Sequence, residues 1–512
     1  MERVYLTTPL YYVNAEPHLG HTYTTVIVDT LNRYYRNAGY ETFFLTGTDE
    51  HGDKIAQAAK ENGTDPKAYA DRISQLFRST WDQCGISYSH FIRTTDAYHV
   101  EFVQKVLRDI YDNGDIYFGE YGGFYCYGCE RFYTEKELVG GKCPDHQKEP
   151  AYIQEKNYFF RMGKYQQRLI DTIQAHPDLI RPERYRSEVL AFLREPLEDL
   201  SISRPKSRLE WGIPLPFDSD HVTYVWFDAL INYVSALKFL GEDVFNAYWP
   251  TANHLIAKDI LKPHAIYWPT MLMAAGLPLY EHLNVHGYWV MDSGKMSKSL
   301  GNVVRPLEMK ERYGMDAFRY FLLREMAFGQ DATFSLNALI NRVNADLANN
   351  LGNFVSRVLA MQEKYFAGAV QPLSGEWSKE DVELRDKFRQ AEVEMKRHME
   401  SLQFHRALES VWVALDHANR YTVQTSPFVL FKDPEKRPRV GEILHHLLEV
   451  IRTAGRLIAP FLPDTAKELR VLLAISEDAA NSQAPWGGFF TPGHKVLPPK
   501  VLFPRIETDP KA

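Results

Sequence analysis

Cysteine is scarce in this chain, with four residues in 512. That density excludes a disulfide scaffold of the kind secreted domains use. Three of the four, Cys126, Cys129 and Cys143, fall within eighteen positions of one another, which points to a metal held in a reducing compartment. Long apolar runs are also missing. The longest uncharged stretch, Ala265 to Tyr280, is interrupted by Pro269 and Pro278 and is shorter than the ~20 residues that span a bilayer, so a buried core helix is expected there. The opening MERVYLTTPLYYV lacks the unbroken apolar core of an export signal, and a cytoplasmic location is the expectation. Nor does one sign of charge dominate: 59 basic against 66 acidic residues leave −7. Any contact with nucleic acid must therefore come from a local basic surface.

What is present is a globular composition, 45% apolar, 24% charged and 13% aromatic, which excludes a disordered or collagen-like chain. At ~150 residues per domain the length predicts about three units. Val4 to Thr8 reads as a strand, HTYTTVIVDTLNRYYRNAG as a helix closed by Gly39, and Thr42 to Thr46 as a second strand. Together they form a βαβ unit with a parallel sheet, and ligands bind such sheets beyond the carboxyl ends of the strands. The loops Pro9–His18 and Gly47–Asp53 both leave from that edge, so they should line one pocket.

The Gly- and Tyr-rich stretch from Gly119 to Pro150 breaks the alternation and fits an insertion. From about Leu336 to Leu473 apolar residues recur at helical spacing with almost no strand signal. The expected fold class is α/β: a Rossmann-like parallel-sheet nucleotide-binding domain split by a zinc-bearing insertion, followed by an α-helical bundle. The boundaries read as 1–115 and 223–335 for the two halves of the catalytic domain, 116–222 for the inserted subdomain, and 336–512 for the helical domain with an irregular tail of about forty residues.

The segment His18-Leu19-Gly20-His21 falls where the first strand's loop meets the helix, a place where backbone N–H groups and the helix dipole favour phosphate. Gly20 lets a nucleotide approach the backbone, and both imidazoles can donate to phosphate oxygens. Paired histidines alone are a weak signal, since most sit on surfaces or in cores. Their partner is Lys295-Met296-Ser297-Lys298-Ser299, two ammonium groups on a Gly-flanked loop suited to closing over a triphosphate. Cys126-x2-Cys129, thirteen residues, then Cys143-x2-His146 has the spacing of a closed tetrahedral zinc site, structural in role because a closed site generates no nucleophile. Three free thiols with an incidental histidine is the competing reading.

With HLGH and KMSKS in place the chain resembles the class I aminoacyl-tRNA synthetases. TTPLYYVNAEPHLGH, GTDEHG, YVWFDALINY, the region from Lys258 to Trp268, VHGYWV and the zinc element make it similar to the methionyl-tRNA synthetase family in particular. That resemblance implies ATP-dependent joining of L-methionine to its tRNA through a methionyl-adenylate, with Mg²⁺ accompanying ATP and one structural zinc. It implies His18, His21, Lys295 and Lys298 as the groups that stabilise the phosphates, and Gly20, Gly287, Met296 and Ser297 with the two lysines as the ATP site. Leu10, Tyr12, Trp226, Ala229, Tyr233, His264 and Trp268 would line the methionine side chain, and Asp49 would hold its ammonium. By residue type alone Trp226, Tyr233 and Trp268 are ordinary core aromatics. Leu230 stands where the family often has proline. Asn349, Asn353 and Arg357, at i, i+4 and i+8, would read the anticodon, with Phe428 stacking on a base; taken alone, that triple is a solvated helix face.

Within the class, leucyl, isoleucyl and valyl enzymes need a longer chain for editing. A non-enzymatic RNA-binding paralogue would be free to lose HLGH and KMSKS, and a small adenylyltransferase leaves the helical third unexplained. A monomer is the expectation, read from the lack of room for an extra tRNA-binding domain after the helices.

Overall fold

The computed structural model describes residues 2–128, 131–144, 147–291, 303–477 and 484–507, which fall into two compact units, 1–288 and 289–512. In the first unit the chain begins with β1 (Arg3–Thr7), β2 (Tyr11–Tyr12), α1 (Leu19–Asn37), β3 (Glu41–Asp49), α2 (Asp53–Glu61), α3 (Pro66–Gln83), β4 (His90–Arg93) and α4 (Ala97–Asp112). β1 and β3 pair in parallel from Arg3↔Glu41 to Thr7↔Leu45, the expected βαβ unit. Helix α1 buries Leu19, Tyr23, Val26, Ile27 and Leu31 and stops where Gly39 takes a φ of +89°, its N–H donating to the Arg36 carbonyl at 3.0 Å.

β3 runs three residues beyond Thr46 because it is paired there on two strands, with β4 at Leu45–Thr48 and with β2 at Thr48 and Asp49. A Cβ on Gly47 would stand 1.9 Å from the Ile92 carbonyl oxygen, so only glycine lets β4 lie this close.

Next come β5 (Ile116–Cys126), β6 (Arg131–Tyr133), β7 (Ala151–Phe160), α5 (Gln166–Ala175), β8 (Ile180–Arg181), α6 (Glu183–Phe192), β9 (Leu200–Ser201), β10 (Ser203–Pro205), β11 (Pro214–Leu215) and β12 (Asp218–Thr223). They form an antiparallel sheet in the order β6-β5-β7-β9 and a smaller one, β10-β12-β11. Within this stretch the chain returns once to the main sheet, through β8.

The unit closes with α7 (Val225–Leu230), α8 (Asn232–Leu240), α9 (Glu242–Tyr248), β13 (Ala252–Ala257), α10 (Trp268–Ala274) and β14 (His282–His286). The main sheet is parallel throughout in the order β3-β1-β13-β14-β8, with β2 and β4 both on β3. Tyr5, Leu45, Ile92, Phe227, Trp249, Ile256 and Leu283 belong to one continuous apolar core around it. Of the uncharged stretch, Ala265 to Ala274 is buried and helical as expected, opening with a π-helical turn, Pro263–Tyr267, before α10, while Ala275 to Leu279 leave the helix and are partly exposed. No described helix is long and apolar enough to cross a membrane.

The second unit contains β15 (Trp289–Met291), α11 (Pro306–Tyr313), α12 (Met315–Glu325), β16 (Ala332–Phe334), α13 (Leu336–Arg342), a π-helical segment Val343–Gly352, α14 (Asn353–Phe366), α15 (Lys379–Glu400), α16 (Phe404–Thr425), α17 (Pro427–Leu430), α18 (Arg437–Ile458) and α19 (Pro463–Leu472). From Leu336 to Leu472 its described elements are all helical, as the periodicity predicts. Asp381 is fully buried on α15, where Arg439 of α18 grips both its oxygens at 2.7 and 2.8 Å and Tyr421 of α16 donates at 2.5 Å. One charge thus ties three helices. Residues 484–507 form no helix or strand, yet they are tied down: Trp486 donates to His446, and Asn344 exchanges two hydrogen bonds with the Ile506 backbone at 2.8 and 2.9 Å.

Candidate functional site

The carboxyl ends of β1, β3, β13 and β14 emerge at one edge of the sheet, and the segments that leave them carry most of the chemistry read from the sequence. His18 is the N-cap of α1. Its Nδ1 accepts the Gly20 N–H at 3.1 Å, while the Nδ1 of His21 accepts the His18 N–H at 3.3 Å. The two rings stack at 3.8 Å. This reciprocal arrangement is a capping box built from imidazoles, and because each Nδ1 is an acceptor, each neutral ring carries its proton on Nε2. Gly20 permits the close fold of the His18 ring, since a Cβ there would meet His18 Cε1 at 3.1 Å. Tyr11 and Phe77 flank His21 at 4.9 and 5.3 Å. Desolvation first, and the nearness of a second titratable imidazole, His18, push His21 well below the ordinary imidazole value, so it is a neutral donor.

At the end of β14, His286 donates from Nδ1 to the Gly287 carbonyl at 2.7 Å and meets the Thr24 hydroxyl of α1 with Nε2 at 2.8 Å. Burial lowers it to about 4. Gly287 is buried beside it.

Asp49 ends β3, 2% exposed, directly opposite Tyr12 of β2. Lys54 sits 4.3 Å above the Tyr12 ring, and Trp226 meets the same ring edge-on at 6.3 Å. Trp226 in turn meets His264 at 6.3 Å, and Tyr233 lies 5.9 Å from Trp268. His264 donates from Nδ1 to the Ile260 carbonyl at 2.9 Å, so its Nε2 accepts the Tyr233 hydroxyl at 2.8 Å. Burial takes His264 down to about 4 and keeps this ring neutral. Leu10 packs against the same core, and Ala229 is buried on α7. Of the eight residues expected around the methionine, Tyr12, Trp226, His264, Tyr233 and Trp268 are thus linked ring to ring in a neutral row, and the Asp49 carboxylate is paired beside its first member.

Several residues of this edge are given no role by the sequence reading. Glu50 is fully buried and accepts Arg93 with both oxygens at 2.7 and 2.8 Å, plus the Thr48 and Thr95 hydroxyls at 2.7 and 2.6 Å. His254 accepts from Trp268 at 3.3 Å and meets Thr7 at 2.8 Å. His51 and His99 converge on Asp228 at 2.7 and 2.8 Å. His51 and Asp228 lie inside GTDEHG and VWFDAL, so the motif boundaries are the signal that would have found them.

Of the expected zinc ligands, Cys126 and Cys143 are buried together with Tyr133, whose hydroxyl receives the Cys143 thiol at 3.4 Å. Two enclosed thiols suit a soft ion. Cys129 and His146 lie outside the described residues, and among the described residues no three metal-binding side chains gather. Lys295, Met296, Ser297 and Lys298 lie outside them too.

In the second unit Asn349, Asn353 and Arg357 are all exposed, but Asn349 belongs to the π-helical segment and the other two to α14. Arg357 donates to Asn419 at 2.5 Å, and Asn419 donates to Asn350 at 2.9 Å, so the guanidinium sits in an amide row shared with α16. Phe428 is the second residue of α17 and is 50% exposed.

Residues 4–154 and 146–359 match a family model described as tRNA synthetases class I (M), and residues 371–512 match the anticodon binding domain of methionyl tRNA ligase. The chain is 47% identical over 507 residues to a methionine–tRNA ligase of Caldanaerobacter subterraneus, covering 99% of this chain and 79% of that one. A Deinococcus radiodurans methionine–tRNA ligase is 44% identical, with 99% and 75% covered. Among solved structures, Mycobacterium tuberculosis methionyl-tRNA synthetase in complex with methionyl-adenylate superposes with a TM-score of 0.94 at 39% identity, covering 99% of this chain and all of that one. With its parallel sheet, its helical second unit and relatives matched along its whole length, the chain belongs to the methionyl-tRNA synthetase family of the class I aminoacyl-tRNA synthetases.

Proposed function

We propose that the chain joins L-methionine to its tRNA in two steps at the sheet edge described above. The methionine carboxylate attacks the α-phosphorus of ATP in line, and pyrophosphate leaves. A hydroxyl of the tRNA's terminal adenosine then attacks the carbonyl carbon of the adenylate and releases AMP. The observation that carries this reading is the single edge shared by the imidazole-capped helix start, the Asp49 carboxylate and the neutral surface from Tyr12 through Trp226 and His264 to Tyr233.

No protein nucleophile is needed, and catalysis is positioning plus charge stabilisation. The Nε2–H groups of His18 and His21, at the positive end of α1, donate to phosphate oxygens as charge builds. Gly20 and Gly287 leave room for the nucleotide, and Lys295 and Lys298, with Met296 and Ser297, receive the leaving pyrophosphate. Mg²⁺ accompanies ATP. Asp49 holds the methionine ammonium while Leu10, Tyr12, Trp226, Ala229, Tyr233, His264 and Trp268 enclose the side chain. Cys126, Cys129, Cys143 and His146 would hold one zinc ion as a structural clip within the inserted segment 116–222, between catalytic halves 1–115 and 223–335. In the helical domain, 336–512, Asn349, Asn353, Arg357 and Phe428 read the anticodon. The enzyme works as a cytoplasmic monomer.

Pyrophosphate exchange into ATP, measured with each standard amino acid in turn, tests this reading. Exchange dependent on methionine alone is expected, and Lys298→Ala should slow it by about two orders of magnitude. Exchange with another amino acid overturns the pocket; none in folded protein favours an RNA-binding role.

A further inference from the structure

Asp228 is completely buried in α7, between Trp226 and Ala229, and no lysine or arginine pairs with it among the described residues. Its two oxygens are instead divided between two histidines. Oδ2 accepts from Nδ1 of His51 at 2.7 Å, and Oδ1 accepts from Nε2 of His99 at 2.8 Å. His99, on α4, meets the Ser235 hydroxyl of α8 at 2.7 Å with its other nitrogen. Burial raises the Asp228 carboxyl, and the charge and hydrogen bonds of His51 and His99 outweigh it, leaving it below the ordinary carboxylate range. A buried carboxylate held this way is costly to disturb, because loss of either donor leaves an oxygen without compensation in a dry interior.

The position of these groups matters more than their charge. His51 lies two residues beyond Asp49 on the segment leaving β3; Asp228 lies between two residues of the pocket wall; Ser235 lies two residues beyond Tyr233. One carboxylate therefore spans the three segments that carry the ammonium-binding acid and the side-chain wall. We infer that Asp228, clamped by His51 and His99, is a positioning residue that sets the distance between Asp49 and the Trp226–Ala229 wall and so governs affinity for methionine, not for ATP. The inference rests on the reaction assigned above.

The test exploits the geometry of imidazole. An asparagine amide nitrogen can occupy the place of Nδ1, so His51→Asn keeps the donor to Asp228, whereas His51→Leu keeps the bulk and removes it. Likewise His99→Gln places an amide nitrogen where Nε2 stands, and His99→Leu does not. Methionine-dependent pyrophosphate exchange is measured for each variant, with melting temperature as a check of folding. Both leucine variants should raise KM for methionine about tenfold or more while KM for ATP stays within about twofold, and His51→Asn and His99→Gln should recover most of the loss. Equal behaviour of the leucine and amide variants, or parallel changes in both KM values, overturns the clamp. Absence of methionine-dependent exchange in the unaltered protein instead overturns the reaction assignment. Should the leucine variants fail to fold, the amide pair decides: their KM for methionine stays within about threefold of the parent if the donor is what matters, and a tenfold rise counts against it.

Discussion

Tyr233 donates its hydroxyl to Nε2 of His264 at 2.8 Å, a direction set by the other nitrogen of the ring, whose Nδ1–H donates to the Ile260 carbonyl at 2.9 Å. Tyr233→Phe leaves a buried ring nitrogen with no donor, at a cost of about 1–3 kcal/mol. Urea denaturation should show that loss, accompanied by a several-fold rise in KM for methionine and little change in KM for ATP. A variant as stable as its parent would remove this hydrogen bond from the account of the pocket.

The imidazole capping box makes a separable prediction. In His18→Asn the side-chain oxygen can still cap α1, because asparagine is among the best N-cap residues. It cannot place a donor where Nε2–H stands. Stability should stay within about 0.5 kcal/mol of the parent while the exchange rate falls about 100-fold. Loss of rate and stability together would mean that His18 serves the helix and not the phosphates.

Acid should destabilise the first unit through His264 and His286, both held near 4 by burial against 6.5 in an unfolded chain. Above pH 6.5 neither state binds a proton and there is no slope. Between 6.5 and 4 the unfolded chain takes up protons that the folded chain refuses, so stability falls as pH falls. From pH 7.5 to 5 the loss is roughly 2 kcal/mol per histidine. Urea midpoints at the two pH values measure it, and His286→Gln should remove about half of the slope that the pair contributes.

Metal analysis of purified protein should find one zinc per chain. Cys143→Ala should abolish it and open the segment around Cys126 and Tyr133 to proteolysis, since a structural zinc contributes folding energy outright. Full zinc content in that variant would mean that Cys143 is merely a core thiol.

Much of this architecture is legible in the sequence because the signals are local. Short β-branched or apolar runs mark the cores of β1 and β3, and helical spacing marks the helices from Leu336 onward. Beyond Thr46 the residues Gly47, Thr48 and Asp49 look like a turn, and only pairing with β2 and β4 keeps them extended. The cap at His18 escapes notice because helix starts are sought at serine, threonine, aspartate and asparagine. Asp228 lies inside a motif, but its pairing escapes notice for another reason. Its partners stand 177 and 129 positions away, and no window along a chain brings them together. The π-helical segments at 263–267 and 343–352 share that origin, since apolar spacing does not distinguish them from α-helix.

Gly47 has a consequence for anyone who would re-engineer the enzyme. Enlarging the amino-acid pocket means shifting the strand end that carries Asp49, and that strand end is locked to its neighbour by a contact that tolerates no side chain at position 47. At Gly47 every codon but glycine should be lost in selection, whichever substrate is offered.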